Sequence, residues 1–363
     1  MKNLYSAMTA LSTAAFLFLT IFSTSSHACT TFCLNNGEQI IFGKNYDWNI
    51  DHGLVIVNKR NMHKSTTFGS AQETFQWTST YGSITFNQYG RELPSGGINE
   101  AGLVIELLWL EQTQYPKPDD RVEFGSTHWI QYQLDTAGST DQLIANCDDV
   151  RIKSVAKIHF LVTDRSGNTA TIEFLKGKLK VHKGKQLKGH ALANSSYGES
   201  LKYLQKYNGF GGKNGLPASQ SSLDRFVRAS ALMANYDAVQ DGPAVDYAFD
   251  VLANVAQGSY TQWSIVYDVS NMEIHFRTRR EQKIKTIPLG AMDFSCQTPV
   301  QVLNINNKFS GDVSARFSDY TRKANRRLIG NSFGNTSFLR NVPAESLDSL
   351  AEYPESATCA HAE

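Results

Sequence analysis

The feature that most constrains this chain is a cysteine that directly follows a segment with the pattern of a signal peptide. A basic residue lies near the start, and an apolar run follows over residues 14–22. Ser26 and Ala28 satisfy the preference for small residues at the third and first positions before a cleavage site. We therefore expect residues 1–28 to be removed, which makes Cys29 the first residue of an exported chain.

A cysteine at that position would carry its thiol and a free α-amine on the same residue. The amine has a reference pKa of about 7.7–8.0, which suits a general base near neutral pH. Nucleophiles activated by their own terminal amine are a known catalytic device. Two other interpretations stay open, a structural or disulfide-bonded cysteine and an acylated lipoprotein cysteine. Ser26 and His27 fit a lipoprotein signal poorly, because it has an aliphatic residue and then a small one at those positions.

The next residues predict a β-hairpin around Asn36-Gly37, a strong signal for a two-residue turn. In that register the numbers of opposed residues sum to 73, so Cys29 faces Lys44. A lysine there would favour the thiolate. Asp47 follows where the strand ends and would hold the terminal amine. A three-residue loop would shift the pairing by one position.

Composition places the chain among globular proteins. It has 363 residues, 41% of them apolar and 19% charged, and removal of 28 leaves 335. That length suits one large domain or two ordinary ones. The mature chain carries 34 basic and 34 acidic residues, because the leader contains one lysine and no acid. This balance gives no argument for nucleic acid or an anionic membrane as partner. No long apolar stretch follows residue 28, so we expect no membrane span.

The five cysteines, Cys29, Cys33, Cys147, Cys296 and Cys359, show no metal-type spacing. Cys29 and Cys33 lie in one extended run, about 13 Å apart. Disulfides need Cα atoms about 4.4–6.8 Å apart, so these two should not bridge. An odd count in an exported protein leaves at least one free thiol, for which Cys29 is the natural candidate. Any pairing among the other four stays open.

Strand pairs alternate with helix pairs along the chain, which favours an α+β domain with helices covering antiparallel sheets. Residues 94–102 are predicted as a loop and tight turn, with Gly96-Gly97 as ordinary loop glycines. The predicted strands include residues 54–58, 75–80, 83–87, 103–110, 157–163, 169–174, 178–182, 190–193, 262–268 and 274–277. The predicted helices cover residues 129–134, 139–147, 197–206, 222–235, 245–256, 320–328 and 344–351.

Several short motifs together carry a family resemblance. The chain resembles the choloylglycine hydrolase and penicillin V acylase family of N-terminal nucleophile hydrolases from Cys29 to about Asn304. The order and spacing of the motifs make the likeness specific. They are Cys29-Thr30, Gly43-Lys44-Asn45-Tyr46-Asp47-Trp48, Gly97-Ile98-Asn99-Glu100-Ala101-Gly102-Leu103, Leu192-Ala193-Asn194-Ser195, Asp224-Arg225-Phe226-Val227-Arg228, and Thr261-Gln262-Trp263-Ser264 with Asp268.

The resemblance implies a four-layer αββα sandwich and a set of catalytic residues. Cys29 would be the nucleophile, with its α-amine as base and Asp47 holding that amine. Asn194 would donate its side-chain amide to the oxyanion, and Arg225 would support the charge network near the thiol. Considered without the family, Asn194 is a turn residue and Arg225 a solvated helix residue.

Two further positions bear on activity and substrate. The family usually has arginine where this chain has Lys44. Lysine keeps the positive charge but lacks the five hydrogen-bond donors of the planar guanidinium. We expect activity to survive this change, with altered thiolate stabilisation or substrate choice. Trp109 resembles the Gram-negative subgroup, in which an aromatic ring lines the acyl pocket. Such a platform favours phenoxyacetyl or fatty-acyl groups, although a core tryptophan is the simpler alternative.

The resemblance implies an exported bacterial amidase that cleaves linear carbon–nitrogen amide bonds, periplasmic or secreted, without metal or cofactor. Its partners would be acylated small molecules, with penicillin V ahead of acyl-homoserine lactones and conjugated bile salts. The domains would be a signal peptide at 1–28, an N-terminal nucleophile hydrolase domain at 29–305 and a C-terminal segment at 306–363. That segment would pack on the domain or aid assembly, since family members often form tetramers.

Two rival functions remain. An exported binding protein or lipoprotein could have kept the fold without catalysis, and Lys44 is the feature that favours this rival. A papain-like cysteine hydrolase would need a histidine base, but no histidine lies in a motif. The available ones are His52, His63, His128, His159, His182 and His190.

Overall fold

Two large β-sheets form the centre of the structure, a computed structural model that describes residues 29–68 and 73–360. In spatial order, the strands of the first sheet are Ala191–Leu192, Thr30–Asn35, Ile40–Asp47, Thr261–Asp268, Glu273–Thr278, Lys285–Pro288 and Gly311–Asp312. Those of the second are Lys178–Lys183, Thr169–Leu175, Ile158–Thr163, Val104–Trp109, Pro94–Asn99, Ser83–Asn87, Leu54–Asn58, Gln301–Asn304 and Ser318–Asp319.

Smaller strands and seven helices complete the described part of the chain. The smaller strands are Met62–Phe68, Glu73–Thr78, Val122–Phe124, Val150–Ile152 and Thr358–Cys359. The helices are α1 (Ser126–Thr136), α2 (Thr140–Asn146), α3 (Tyr197–Leu204), α4 (Ser222–Ala234), α5 (Ala244–Asn254), α6 (Arg322–Asn335) and α7 (Ala344–Glu352). None of these helices combines the length and apolarity that a membrane span requires.

The two sheets face each other across an aromatic core, with helices on their outer faces. Phe86 of the second sheet packs edge-on against Tyr267 and Phe276 of the first, at centroid distances of 6.2 and 5.5 Å. Helices α4 and α5 pack on the first sheet, and α1 packs on the second. This arrangement is the predicted α+β sandwich. The predicted helices were found with shifts of up to three residues at their ends, except that α6 extends seven residues beyond its predicted end at 328. Ser139 is the N-cap of α2.

The predicted register of the first hairpin is wrong. Thr31, not Cys29, lies opposite Lys44, and opposed residue numbers sum to 75. The Asn36 side chain accepts hydrogen bonds from the amides of Glu38 and Gln39, which opens the turn to four residues. Because the shift is two residues and strand side chains alternate with period two, Cys29 and Lys44 stay on the same face.

The predicted loop at residues 94–102 is also corrected, because Pro94–Asn99 is a buried strand in the middle of the second sheet. Proline occupies its first position, where a missing amide is tolerated. A Cβ on Gly96 would lie 2.2 Å from the carboxyl carbon of Glu106, and one on Gly97 would lie 2.5 Å from the Ile84 carbonyl oxygen. The glycines therefore permit close approach inside a sheet, although their local pattern indicates a turn.

Candidate active site

The thiol of Cys29 lies at the beginning of strand Thr30–Asn35 and is 4% exposed. Its Sγ lies 3.9 Å from the backbone oxygen of Asp47 on the neighbouring strand. Burial raises the pKa of this thiol, and the Asp47 charge raises it further, while Lys44 and Arg225 act to lower it. The net effect is a raised pKa, so the thiol needs a base to become a nucleophile at neutral pH.

The guanidinium of Arg225, on α4, connects two other predicted site residues, Cys29 and Asn194. One terminal nitrogen donates to the Cys29 carbonyl oxygen at 2.7 Å and also to the Thr30 hydroxyl. The other donates to Oδ1 of Asn194 at 2.9 Å. The side chain is fully buried, and that burial lowers its pKa to about 10, which still leaves it charged at neutral pH. Arg225 is thus a buried part of the site, not a solvated helix residue.

The side-chain amide of Asn194 is held in one orientation. Its Oδ1 faces the Arg225 guanidinium, and its Nδ2 donates to the backbone oxygen of Trp109 at 2.7 Å. The backbone amide of Asn194 donates to the hydroxyl of Ser222, in the first turn of α4. Because an amide nitrogen carries two hydrogens, a second N–H remains for another acceptor.

A buried pair, His159 and Glu173, supports the backbone just before Asn194, and this pairing was not predicted from the sequence. Nε2 of His159 lies 2.7 Å from the Ala193 carbonyl oxygen, and its Nδ1 lies 3.1 Å from Oε1 of Glu173. The same Glu173 oxygen accepts from the Tyr197 amide at the start of α3. One ionisable residue inside each of two otherwise uncharged strands was the available signal, but it does not tell which residues meet.

Asp47 offers an oxygen without a partner. Its Oδ1 accepts from the Thr261 hydroxyl at 2.5 Å, and its buried Oδ2 makes no hydrogen bond within the part of the chain that the structure describes. Burial raises the pKa of this carboxyl to about 6, against the opposing effects of Arg225, the Thr261 hydrogen bond and Lys44. A cationic donor beside Oδ2 would satisfy the oxygen and favour the ionised carboxylate.

Lys44 is completely buried between the two sheets. Its ammonium donates to the Leu107 carbonyl oxygen and lies 3.8 Å from Oε2 of Glu106. Glu106 also accepts from the Tyr267 hydroxyl at 2.6 Å. Burial raises the pKa of Glu106 to about 7, despite Lys44 and that hydrogen bond. Lys44 was identifiable from the sequence, but its buried carboxylate partner was not.

Cys29 opens into an apolar cleft of about 860 Å³, including the part that is open to solvent. Trp109, the predicted substrate residue, lines this cleft together with Trp48, and their ring centroids are 6.3 Å apart. The other apolar side chains around it are Tyr46, Tyr89, Leu93, Leu107, Val155, Ala156, Ile158, Phe333, Phe338 and Leu339. A cleft of this size and composition suits the acyl part of a small molecule.

Five of the six histidines considered as bases have other partners, including His159, which lies between Glu173 and the Ala193 carbonyl oxygen. His52 lies by Ser332, His63 by Thr78, His128 by Tyr353, and His182 by Thr171. Across residues 29–68 and 73–360, no histidine is hydrogen-bonded to the Cys29 thiol. The same residues contain no cluster of three histidine, cysteine or acidic side chains suited to a metal ion.

Comparison with known proteins assigns the family. A model of linear amide C–N hydrolases of the choloylglycine hydrolase family matches residues 29–302. The chain belongs to this family. A penicillin V acylase of Pectobacterium atrosepticum is 26% identical to the hydrolase over 340 residues, covering 81% of this chain and 89% of the relative. A bile salt hydrolase/transferase of Lactiplantibacillus plantarum is 24% identical over 292 residues, covering 69% of this chain and 89% of the relative.

Solved structures confirm the fold of the hydrolase. Penicillin V acylase from Agrobacterium tumefaciens matches with a TM-score of 0.69 and 26% identity, over 81% of this chain and 98% of that one. A variant of conjugated bile acid hydrolase from Clostridium perfringens matches with a TM-score of 0.64 and 18% identity, over 78% of this chain and 98% of that one. The predicted four-layer sandwich of the N-terminal nucleophile hydrolase type is therefore confirmed.

The raised pKa of Glu106 predicts a pH dependence of stability. Its ordinary value is 4.5 and its folded value is about 7, so the folded state retains a proton that the unfolded chain releases. Its contribution to the free energy of unfolding is present below about pH 4.5 and is lost as the pH rises to about 7. Denaturant titrations of wild type and Glu106→Gln should differ across this window by on the order of 3 kcal/mol. Glu38→Gln, in the exposed turn, is the control, and matching profiles for both variants would contradict the assignment.

Replacing Lys44 should change thiol reactivity. Its charge lowers the pKa of Cys29, so Lys44→Met should raise the midpoint pH of iodoacetamide alkylation, followed by mass mapping of the Cys29 peptide. Lys44→Arg keeps the charge and should shift the midpoint less than Lys44→Met does. An unchanged midpoint in folded Lys44→Met would show that this charge does not act on the thiol.

Proposed function

We propose that this hydrolase is an exported cysteine amidase, with Cys29 as nucleophile, that cuts linear amide bonds of acylated small molecules. One observation carries the proposal: the Cys29 thiol lies at the base of an apolar cleft and among the charges of Lys44, Asp47 and Arg225. The leader would occupy residues 1–28, the catalytic domain 29–305 and the C-terminal segment 306–363. The mature protein would then be periplasmic or secreted.

In the proposed reaction, Sγ of Cys29 attacks the acyl carbonyl carbon and forms a thioester as the carbon–nitrogen bond breaks. The α-amine of Cys29 takes the thiol proton and passes it to the leaving amine. Water then hydrolyses the thioester, releasing the carboxylic acid and restoring the thiol. Oδ2 of Asp47, which accepts no hydrogen bond from residues 29–68 or 73–360, supports this scheme, because it offers an acceptor to the protonated α-amine.

Asn194 would stabilise the oxyanion of each tetrahedral intermediate. Arg225 holds its Oδ1, and the Trp109 carbonyl holds one hydrogen of its Nδ2. The amide is therefore oriented before substrate binds, so it needs little reorganisation during the reaction. This supports the role that the family resemblance implies.

The aromatic and apolar lining of the cleft favours a substrate whose acyl group is aryl or alkyl. Trp48 and Trp109 line the cleft into which the thiol opens, and such rings favour phenoxyacetyl or fatty-acyl groups. Penicillin V, acyl-homoserine lactones and conjugated bile salts are the candidate substrates, in that order. The relatives named penicillin V acylase and bile salt hydrolase/transferase agree with the first and last. We further propose a homo-oligomer, without nucleic acid as partner.

The decisive test is the intact mass and N-terminal sequence of protein exported with its own leader, followed by an acyl-amide panel. We expect a start at Cys29, an unmodified thiol, hydrolysis by wild type and none by Cys29→Ser. A different start, or a diacylglyceryl group on Cys29, would remove the base or block the thiol. A processed protein without activity and without thiol reactivity would favour a binding protein that kept the fold.

Loss of the oriented amide should lower kcat. Asn194→Ala should reduce kcat by about 10²–10³-fold, because one donor to the oxyanion is removed. The change in KM should be smaller. Asn235→Ala, at the exposed end of α4, is the matched control. If Asn194→Ala keeps wild-type kcat, the oxyanion role is wrong.

A further inference from the structure

The outer part of the acyl cleft comes from the C-terminal segment, beyond the residues that the family model matches. That model ends at residue 302, whereas Phe333 in α6, with Phe338 and Leu339 just after it, lines the cleft. We name these three residues the C-terminal wall. Phe338 is 45% exposed and lies 6.0 Å from Trp109 between ring centroids. The wall therefore faces the residue proposed to contact the acyl group.

Buried polar contacts fix α6 against the catalytic domain. The Ser332 hydroxyl donates to the backbone oxygen of Gln88, and Oδ1 of Asn325 accepts from the Arg91 amide at 2.8 Å. Ser332 and Asn325 are fully buried. The Gln88 side chain in turn accepts from the Tyr46 hydroxyl at 2.9 Å. These contacts connect α6 through Gln88 to Tyr46, the residue that precedes Asp47.

The end of α6 is held beside the cleft by a second set of contacts. The hydroxyls of Tyr89 and Thr336 lie 2.9 Å apart, and the Tyr89 ring packs edge-on against Phe333 at 5.9 Å between centroids. Nδ2 of Asn49 donates to the Asn335 carbonyl oxygen at 3.3 Å. Tyr89 also lines the cleft, so the wall is continuous with the catalytic domain.

The far end of the segment is anchored separately. A disulfide joins Cys296 to Cys359, and strand Thr358–Cys359 pairs with Met62–Phe68. The Tyr353 hydroxyl lies 2.8 Å from Nε2 of buried His128. Since both ends are attached to the domain, the wall has a fixed position relative to Cys29.

We propose that the C-terminal wall sets the length and shape of acyl group that the cleft accepts. The proposal rests on the hydrolase function proposed above and assigns specificity to residues outside the matched family region. A straight acyl chain attached through the carbonyl at Cys29 would run past Trp109 towards Phe338. The size of the side chain at 338 then decides how far an apolar chain extends before it reaches solvent.

The test compares butyryl, octanoyl, dodecanoyl and phenoxyacetyl amides of one leaving amine. Phe338→Ala should raise the ratio of kcat/KM for dodecanoyl over butyryl by about tenfold or more, because a single methylene in an apolar pocket changes kcat/KM by about 10–200-fold. Phe338→Trp should lower the same ratio. Leu216→Ala, an exposed apolar residue outside the cleft, is the control and should keep the wild-type ratio.

Unchanged ratios in both Phe338 variants would overturn the proposal. If wild type hydrolyses none of the amides, the proposed function fails, and calorimetric binding of butyrate, octanoate and dodecanoate to Cys29→Ala protein decides the present question. Adding Phe338→Ala to the Cys29→Ala protein should then strengthen the binding of dodecanoate relative to that of butyrate. No binding, or no change in that preference, would refute the wall as a specificity element.

Discussion

The structure of the site depends on one buried guanidinium. Arg225 binds the backbone of Cys29 and the side chain of Asn194, so it fixes the distance between the thiol and the amide. Removing a charge of this kind from water is costly and is offset only when several good hydrogen bonds are made. Here the planar guanidinium of Arg225 donates these hydrogen bonds. The nearby Asp47 carboxylate adds a favourable charge.

The two sheets contribute different parts of the chemistry. The first provides Cys29, Lys44 and Asp47 from two adjacent strands, and the second provides Glu106 and Trp109 from one strand. Lys44 reaches across the interface to the Leu107 carbonyl and the Glu106 carboxylate. The lysine found in place of the family's usual arginine therefore takes part in packing the sheets together as well as in the electrostatics of the thiol.

Much of the site was predictable because its residues lie in short, ordered motifs. Cys29, Lys44, Asp47, Asn194, Arg225 and Trp109 were all identified from the sequence, and the structure brings them to one region. Glu106 and Glu173 were missed, and His159 was considered only as a possible base, because each is an ionisable residue inside a strand whose other side chains carry no charge. The hairpin register was wrong because local turn preference does not include the Asn36 hydrogen bonds that widen the loop. The strand at Pro94–Asn99 was missed because its glycines serve close packing, which only the neighbouring strands reveal.

The sequence by itself determined the class of fold, the family and the identity of the candidate nucleophile. Alternating patterns define strands and helices, and the signal-peptide pattern before Cys29 predicts that this residue becomes the first of the exported chain. Only the tertiary structure decided that Lys44 pairs with Glu106, that Oδ2 of Asp47 accepts no hydrogen bond from the described residues, and that residues after 302 reach the cleft. These facts depend on contacts between segments far apart in the chain. Local sequence preferences carry no information about which distant residues share a buried, low-dielectric space.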